Sequence, residues 1–311
     1  MNPRCPYCGG AAPRCFRTKD FNRRISSALF TYFRCATCGL LFLDPVPENL
    51  GVFYPKGYHR MPAHIGDLDT LAPGEKYKVD LVSRFVPIGR LLEIGPSYGG
   101  FLYAARQAGY TVEGIEMDED CCRFLTEFAS IPTIQGTDVV AALRCSAPYD
   151  IITLWHVVEH IPSPWITVRA AMEAIRPGGI LVIATPSPES FQFRIFGRRW
   201  THIDAPRHIT LLPPSLLESI GKSAGFEVVE LSGSDPGTLY WNEFGWRESL
   251  ANLSSMPALK RASRLFGSAL SIALGPIERR IRWSSSYTIV LRNPVVSPGI
   301  TTRDKNRQMA S

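Results

Sequence analysis

The sequence predicts an α/β fold: a doubly wound, mostly parallel sheet of seven strands, the last running antiparallel, with a small cysteine-bearing module in front of it. Three observations carry this. Apolar runs of strand length alternate with stretches of helical period from about residue 91 to 231, the rhythm of a parallel sheet covered on both faces. A final run, Tyr287 to Arg292, is placed to return antiparallel to the sixth strand. The first 58 residues are short of helical periodicity and hold two cysteine pairs instead.

Those pairs are Cys5-Pro6-Tyr7-Cys8-Gly9 and Cys35-Ala36-Thr37-Cys38-Gly39, with 26 residues between them. Two such turns can close four thiolates into a tetrahedron, and the glycine after each lets the backbone turn back, so Cys5, Cys8, Cys35 and Cys38 are expected to hold a structural zinc in a zinc ribbon. Metal binding would supply the folding energy of a segment too small to bury much. Cys15 is a spare. An aromatic linker, Phe53-Tyr54-Pro55-Lys56-Gly57-Tyr58, follows.

Strands are then read at Leu91–Ile94, Thr111–Glu116, Ile131–Ile134, Tyr149–Leu154, Gly179–Thr185 and Phe226–Leu231. A helix over Phe101–Ala108 is stopped by Gly109, and the next one carries Cys121, Phe124, Leu125 and Phe128 at helical spacing, which makes Cys121 a core residue. Ser215-Leu216-Leu217-Glu218 reads as a capping box for a helix ended by Gly225. The expected organisation is a ribbon and linker over 1–58, a main domain over 59–293 with an inserted lid (187–214) and a helical segment (239–283), and a disordered tail over 294–311.

Composition narrows the function. A chain of 311 residues needs no disulfide staples, and its net charge of +6 and pI of about 8.9 fall short of the concentrated excess of a dedicated nucleic-acid binder. No charged, apolar and small-residue succession opens the chain, so a secretory signal is not expected, and no apolar run reaches the roughly 18 residues that span a bilayer. A cytoplasmic location, with reduced thiols, is the expectation.

In an open parallel sheet, ligands sit beyond the carboxyl ends of the strands where strand order reverses. The loop Gly95-Pro96-Ser97-Tyr98-Gly99-Gly100 after the first strand is therefore the place to look. Gly95 and Gly99 allow close approach of a ligand to the backbone, and the following helix offers free N–H groups to a carboxylate. Glu116, 21 residues beyond Gly95 at the end of the second strand, can accept hydrogen bonds from both hydroxyls of a ribose. Locally this suits NAD as well as S-adenosylmethionine (SAM).

The wider set of residues resembles the class I SAM-dependent methyltransferases over about 75–293. The resemblance rests on Leu-Glu-Ile-Gly-Pro-Ser-Tyr-Gly (92–99), Gly-Ile-Glu (114–116), Tyr-Asp-Ile-Ile-Thr-Leu-Trp-His-Val-Val-Glu-His (149–160) and Arg-Pro-Gly-Gly-Ile-Leu (176–181). It implies that Glu93, Gly95 and Ser97 line the methionine part of SAM, that Glu116 holds the ribose, that Asp138 meets the adenine amino group and that Trp155 flanks the methionine end. Ser97 stands where that family more often has glycine, and Asp138 reads equally as a helix N-cap. The ribbon followed by such a domain also resembles a bacterial subgroup that includes sugar C-methyltransferases.

Methyl transfer from a sulfonium is an in-line displacement, with a base needed only where the acceptor loses a proton. Four of the six histidines fall in two clusters after strand ends, His156 with His160 and His202 with His208. His160 and His208 are the candidate proton acceptors, since imidazole titrates near neutrality; His160 reads as well as a pocket-shaping residue. Glu159 and Asp204 either orient these rings or are solvated. Arg194, Arg198, Arg199 and Arg207 either clamp an acidic or phosphate-bearing acceptor or form a solvated loop. The basic, apolar stretch 259–283 packs on its own domain, on a second subunit in a homodimer, or on a membrane surface. The expected function is methyl transfer to a small molecule, such as a sugar, a lipid-linked precursor or a secondary metabolite. The alternatives are an RNA methyltransferase that reads RNA through the ribbon, and a non-enzymatic SAM-binding scaffold.

Overall fold

A computed structural model describes residues 3–295 apart from Lys56, Arg60, Ala147 and Arg282; the expected tail from residue 296 onward lies outside the described residues. The chain opens with an antiparallel meander of β1 (Arg14–Thr18), β2 (Phe30–Arg34) and β3 (Leu41–Leu43). The two cysteine pairs form matching turns, with the Gly9 N–H donating to the Cys5 carbonyl at 2.9 Å and the Gly39 N–H to the Cys35 carbonyl at 3.1 Å. The linker leads into α1 (Asp67–Ser83). That helix was hidden in the sequence by Pro73 and Gly74, yet it still buries Leu68, Ala72, Leu81 and Val82.

From there strands and helices alternate: β4 (Arg90–Ile94), α2 (Gly100–Gln107), β5 (Thr111–Glu116), α3 (Glu119–Arg123), β6 (Thr133–Gln135), α4 (Val139–Arg144), β7 (Tyr149–Trp155), α5 (Pro164–Glu173) and β8 (Ile175–Pro186). Then come α6 (Phe191–Phe196), β9 (Thr210–Leu211), α7 (Pro214–Ser223), β10 (Glu227–Ser232), α8 (Pro236–Ala251), α9 (Pro257–Glu278) and β11 (Ser286–Arg292). The large sheet has the order β6-β5-β4-β7-β8-β11-β10. β4 to β8 are parallel, and β11 runs antiparallel to both β8 and β10, as the sequence predicts.

Alternate residues of the central strands go to opposite faces, and both faces are apolar. Leu92, Ile94, Ile152, Leu154, Leu181 and Ile183 enter one core, while Leu91, Ile151, Ile180 and Val182 enter the other. This is the pattern of strands buried under helices on both sides. Two details depart from expectation. Ile131 belongs to the turn before β6, its N–H held by the Leu125 carbonyl. Pro213 occupies the N-cap of α7 with no side-chain cap bond, so Ser215 and Glu218 form no capping box there.

The smaller sheet, β1-β2-β3-β9, is completed from the far part of the chain: Leu41 pairs with Leu211 and Phe42 with Thr210. A third core, with Phe30, Tyr32, Leu43, Phe193, Trp200 and Ile203, fills the joint. Residues 187–214, expected as a lid, thus contribute a strand and buried side chains to the packing of the N-terminal module. The chain reverses its winding at β4, which lies between β5 and β7, and this places a crevice beyond the carboxyl ends of those strands.

Candidate active site

On one side of the crevice the β4 loop is built by its backbone. Gly95 and Gly99 have φ of +71° and +79°, the left-handed region. A Cβ on Gly95 would lie 2.7 Å from Val157 Cγ2, and one on Gly99 would collide with Leu125. What the missing side chains clear is protein, so these glycines seat the loop on the turn after β7 and on the helix after β5. Ser97 adopts φ +53°, a conformation that costs a serine more than a glycine, and its Oγ pairs with His59 Nδ1 at 2.8 Å.

Glu116 is buried and fastens this loop to its own. Its carboxylate accepts from the N–H groups of Ser97 (2.9 Å), Met117 (2.7 Å) and Asp118 (2.9 Å). Glu93, at 4% exposure, has one carboxylate oxygen with no hydrogen-bond partner among the described residues. Burial pushes its pKa up to about 8; the Lys78 ammonium opposes this, and Glu75 and Glu116 add to it. Trp155 closes this side: its ring meets Phe101 at 5.7 Å, Lys78 Nζ lies 5.1 Å from it, and its buried indole N–H has no partner among the described residues. Unpaired buried polar atoms of this kind are uncommon and suit a site completed by a polar ligand, with an acceptor group for the indole N–H. Asp138 caps α4 by accepting from the Ala141 N–H at 2.9 Å, which is the N-cap half of its reading.

The other side of the crevice is assembled from distant segments. The His160 and His208 rings stand edge to face with centroids 4.6 Å apart. His160 Nδ1 lies 3.1 Å from the Arg207 carbonyl and 3.0 Å from Tyr54 Oη, while His208 Nδ1 lies 2.8 Å from the His202 carbonyl. Burial, aided by the charge of His208, lowers the pKa of His160 to about 4, so this ring does not titrate near neutrality as the sequence suggested. Glu159 is fully buried and accepts from Thr185 Oγ1 at 3.0 Å. Burial pushes its pKa up, but His156, His208 and His160 outweigh that and hold it at about 2. His202 is buried against Trp241, with its Nε2 3.0 Å from the Trp241 carbonyl, and burial drops its pKa to about 3.

Of the four arginines expected either to clamp an acceptor or to be solvated, Arg207 is committed to the interior, while Arg194, Arg198 and Arg199 are exposed. Arg207 is fully buried, its guanidinium shared between Asp20 (2.8 Å) and Asp204 (2.7 Å), and Arg194 lies over Trp283. Sequence reasoning missed the aromatic residues that pack on these histidines: Tyr54 at His160, and Trp241 from α8 with its ring 4.8 Å from that of His156. A Tyr-rich linker was a visible signal for the first. Nothing in the sequence singled out the second.

Residues 68–231, more than half of the chain, match the family model described as a methyltransferase domain, and the chain belongs to that family, the class I SAM-dependent methyltransferases. Among curated proteins it resembles a ubiquinone biosynthesis O-methyltransferase of Bordetella avium, 28% identical over 162 residues. That match spans 47% of this chain and 65% of the relative. It also resembles one of Albidiferax ferrireducens, 25% identical over 216 residues, covering 64% of this chain and 85% of the relative. A solved SAM-dependent methyltransferase of Archaeoglobus fulgidus aligns with a TM-score of 0.46 at 18% identity, over 70% of this chain and 94% of that one.

Proposed function

We propose that the chain transfers a methyl group from SAM to a small-molecule acceptor held between Trp155 and the His160–His208 pair. When bound, SAM supplies a methyl group on a sulfonium, ready for displacement. Glu93, Ser97, Glu116 and the Gly95–Gly99 loop would hold it, with Trp155 beside the sulfonium and Asp138 at the adenine edge. The observation that carries the reading is the pair of imidazoles, each with Nδ1 tied to a main-chain carbonyl. A carbonyl only accepts, so each ring keeps its proton on Nδ1 and presents Nε2 as the basic atom.

A ring whose conjugate acid titrates near 4 is a weak base, so His160 assists most where the acceptor's own proton is the more acidic. A phenolic or enolic hydroxyl gives up its proton more readily than a plain sugar hydroxyl, so the phenolic class is the first to test. This agrees with the O-methyltransferase names of the relatives without fixing the substrate. The test is turnover of phenolic acceptors with isotopically labelled SAM in His160→Asn and His208→Asn variants. At least one should lose about 10²- to 10⁴-fold in kcat with SAM affinity intact. If both retain kcat, the base assignment is wrong.

We further propose that Cys5, Cys8, Cys35 and Cys38 hold zinc. Their four sulfurs lie within 4.8 Å of one another, and Cys5–Cys38 and Cys8–Cys35 are 3.6 and 3.5 Å apart. A tetrahedral zinc with sulfurs at about 2.3 Å places them roughly 3.8 Å apart. Metal analysis of the purified chain should find one zinc, lost in Cys38→Ser. The RNA reading gains no support: Arg23 of the module is spent on Tyr58 of the linker, 4.0 Å from its ring.

A further inference from the structure

Helix α9 is packed inside out. Its small and polar residues face the protein: Arg264 forms a two-bonded pair with Glu248 at 2.8 and 2.9 Å, and Ser268 donates to Glu243 at 2.8 Å. Gly267 lies against the backbone of Arg247, and Glu278 is buried under Trp246 and Gln192. The opposite face carries Leu259, Ala262, Leu265, Phe266, Ala269, Ile272, Ala273 and Ile277, spaced three and four apart, and every one of them is exposed. Leu265 is 75% exposed and Ile272 82%. A helix of 22 residues is about 33 Å long, so this is a continuous apolar stripe and not a scatter of single side chains.

From this stripe we infer that α9 docks on an anionic membrane surface. Its charges select that occupant. Arg261, Arg279 and Arg280 are exposed beside the stripe, and the one acid between residues 257 and 281, Glu278, is buried. An apolar face flanked by cations and free of acids is what lies in the interface of an anionic bilayer, the apolar side chains below the headgroups and the guanidinium groups among them. A second copy seated on the same face would bring these arginines against a helix with no acid to pair them. α9 packs on α8, which carries Trp241 at the crevice, so a docked bilayer lies one helix away from the candidate acceptor site.

The inference concerns the surface alone and does not depend on methyl transfer. It is tested by flotation of the full chain, without SAM, on phosphatidylcholine vesicles and on vesicles in which a third of the lipid is phosphatidylglycerol. Binding is expected on the anionic vesicles, with little on the zwitterionic ones, and weakened by salt. Leu265→Glu and Ile272→Glu, which remove no packing in the folded chain, should each reduce it by roughly tenfold. Ile88→Glu, at an exposed isoleucine elsewhere, should leave it unchanged. No binding to anionic vesicles at low salt overturns the inference. So does a dimer in sedimentation that Ile272→Glu dissociates, since the stripe would then be covered by a second copy.

Discussion

The two sides of the crevice are built differently. The proposed cofactor side comes from neighbouring strand ends: the β4 loop, Glu116 one strand over, which ties it by main-chain hydrogen bonds, and Trp155 at the end of β7. The proposed acceptor side gathers Tyr54, His160, His202, His208 and Trp241 from segments up to 187 residues apart, held by a buried ion network and ring contacts. A site made by local backbone geometry tolerates change elsewhere in the molecule. One made by long-range packing depends on it.

The largest expected effect breaks the acceptor side alone. Arg207→Met leaves Asp20 and Asp204 buried without their cation, which costs about 3–5 kcal/mol of stability. The change should appear as a lower urea midpoint of the full chain. Where the variant stays folded, SAM affinity should hold within about twofold, because the two sides share few partners. An unchanged midpoint would mean that the network is dispensable.

Next in size, Glu116→Ala removes the acceptor that ties the two cofactor loops. It should weaken SAM binding by roughly ten- to hundredfold in calorimetry, the cost of one charged hydrogen-bonding group. Unaltered affinity would remove Glu116 from the ribose role and reduce it to a loop fastener.

The smallest effect sharpens the comparison through pH. Glu93 titrates near 8 instead of at the usual 4.5, so the free chain holds it mostly protonated at neutrality. A bound sulfonium favours the carboxylate, so SAM affinity should rise with pH, by at most about tenfold per unit, and level off above about 8. Glu93→Gln should flatten that rise. The same upward shift makes the unfolded chain release a proton that the folded chain retains, so this residue erodes stability as pH climbs from about 4.5 through 8. His160, near 4, should leave kcat at saturating SAM level between about pH 5 and 8.

The elements of the proposed cofactor side were legible because their signals are local. A glycine at left-handed φ, an acid at a strand end and a Trp before a turn each leave a mark within a few residues. The acceptor side was half legible. Its histidines could be counted, but their pKa values could not be, since the shift of His160 comes from burial and from a ring 48 residues away. Arg207 misled for the same reason: in a basic loop it reads as solvated or ligand-facing until Asp20, near the other end of the chain, is seen to neutralise it.

The sequence by itself determined the seven strands, because apolar runs of strand length and the strand-to-helix turns that bound them are written in neighbouring residues. It also marked the four cysteines. Only the tertiary structure decided that β9 completes the N-terminal sheet, that α1 walls the crevice with Lys78 beside Trp155, and that α9 turns its apolar face outward. Hydrophobic periodicity says that a helix has two faces. Which of them the protein covers depends on the partners that packing brings to it, here Glu243 and Glu248, which claim the polar face and leave the other exposed.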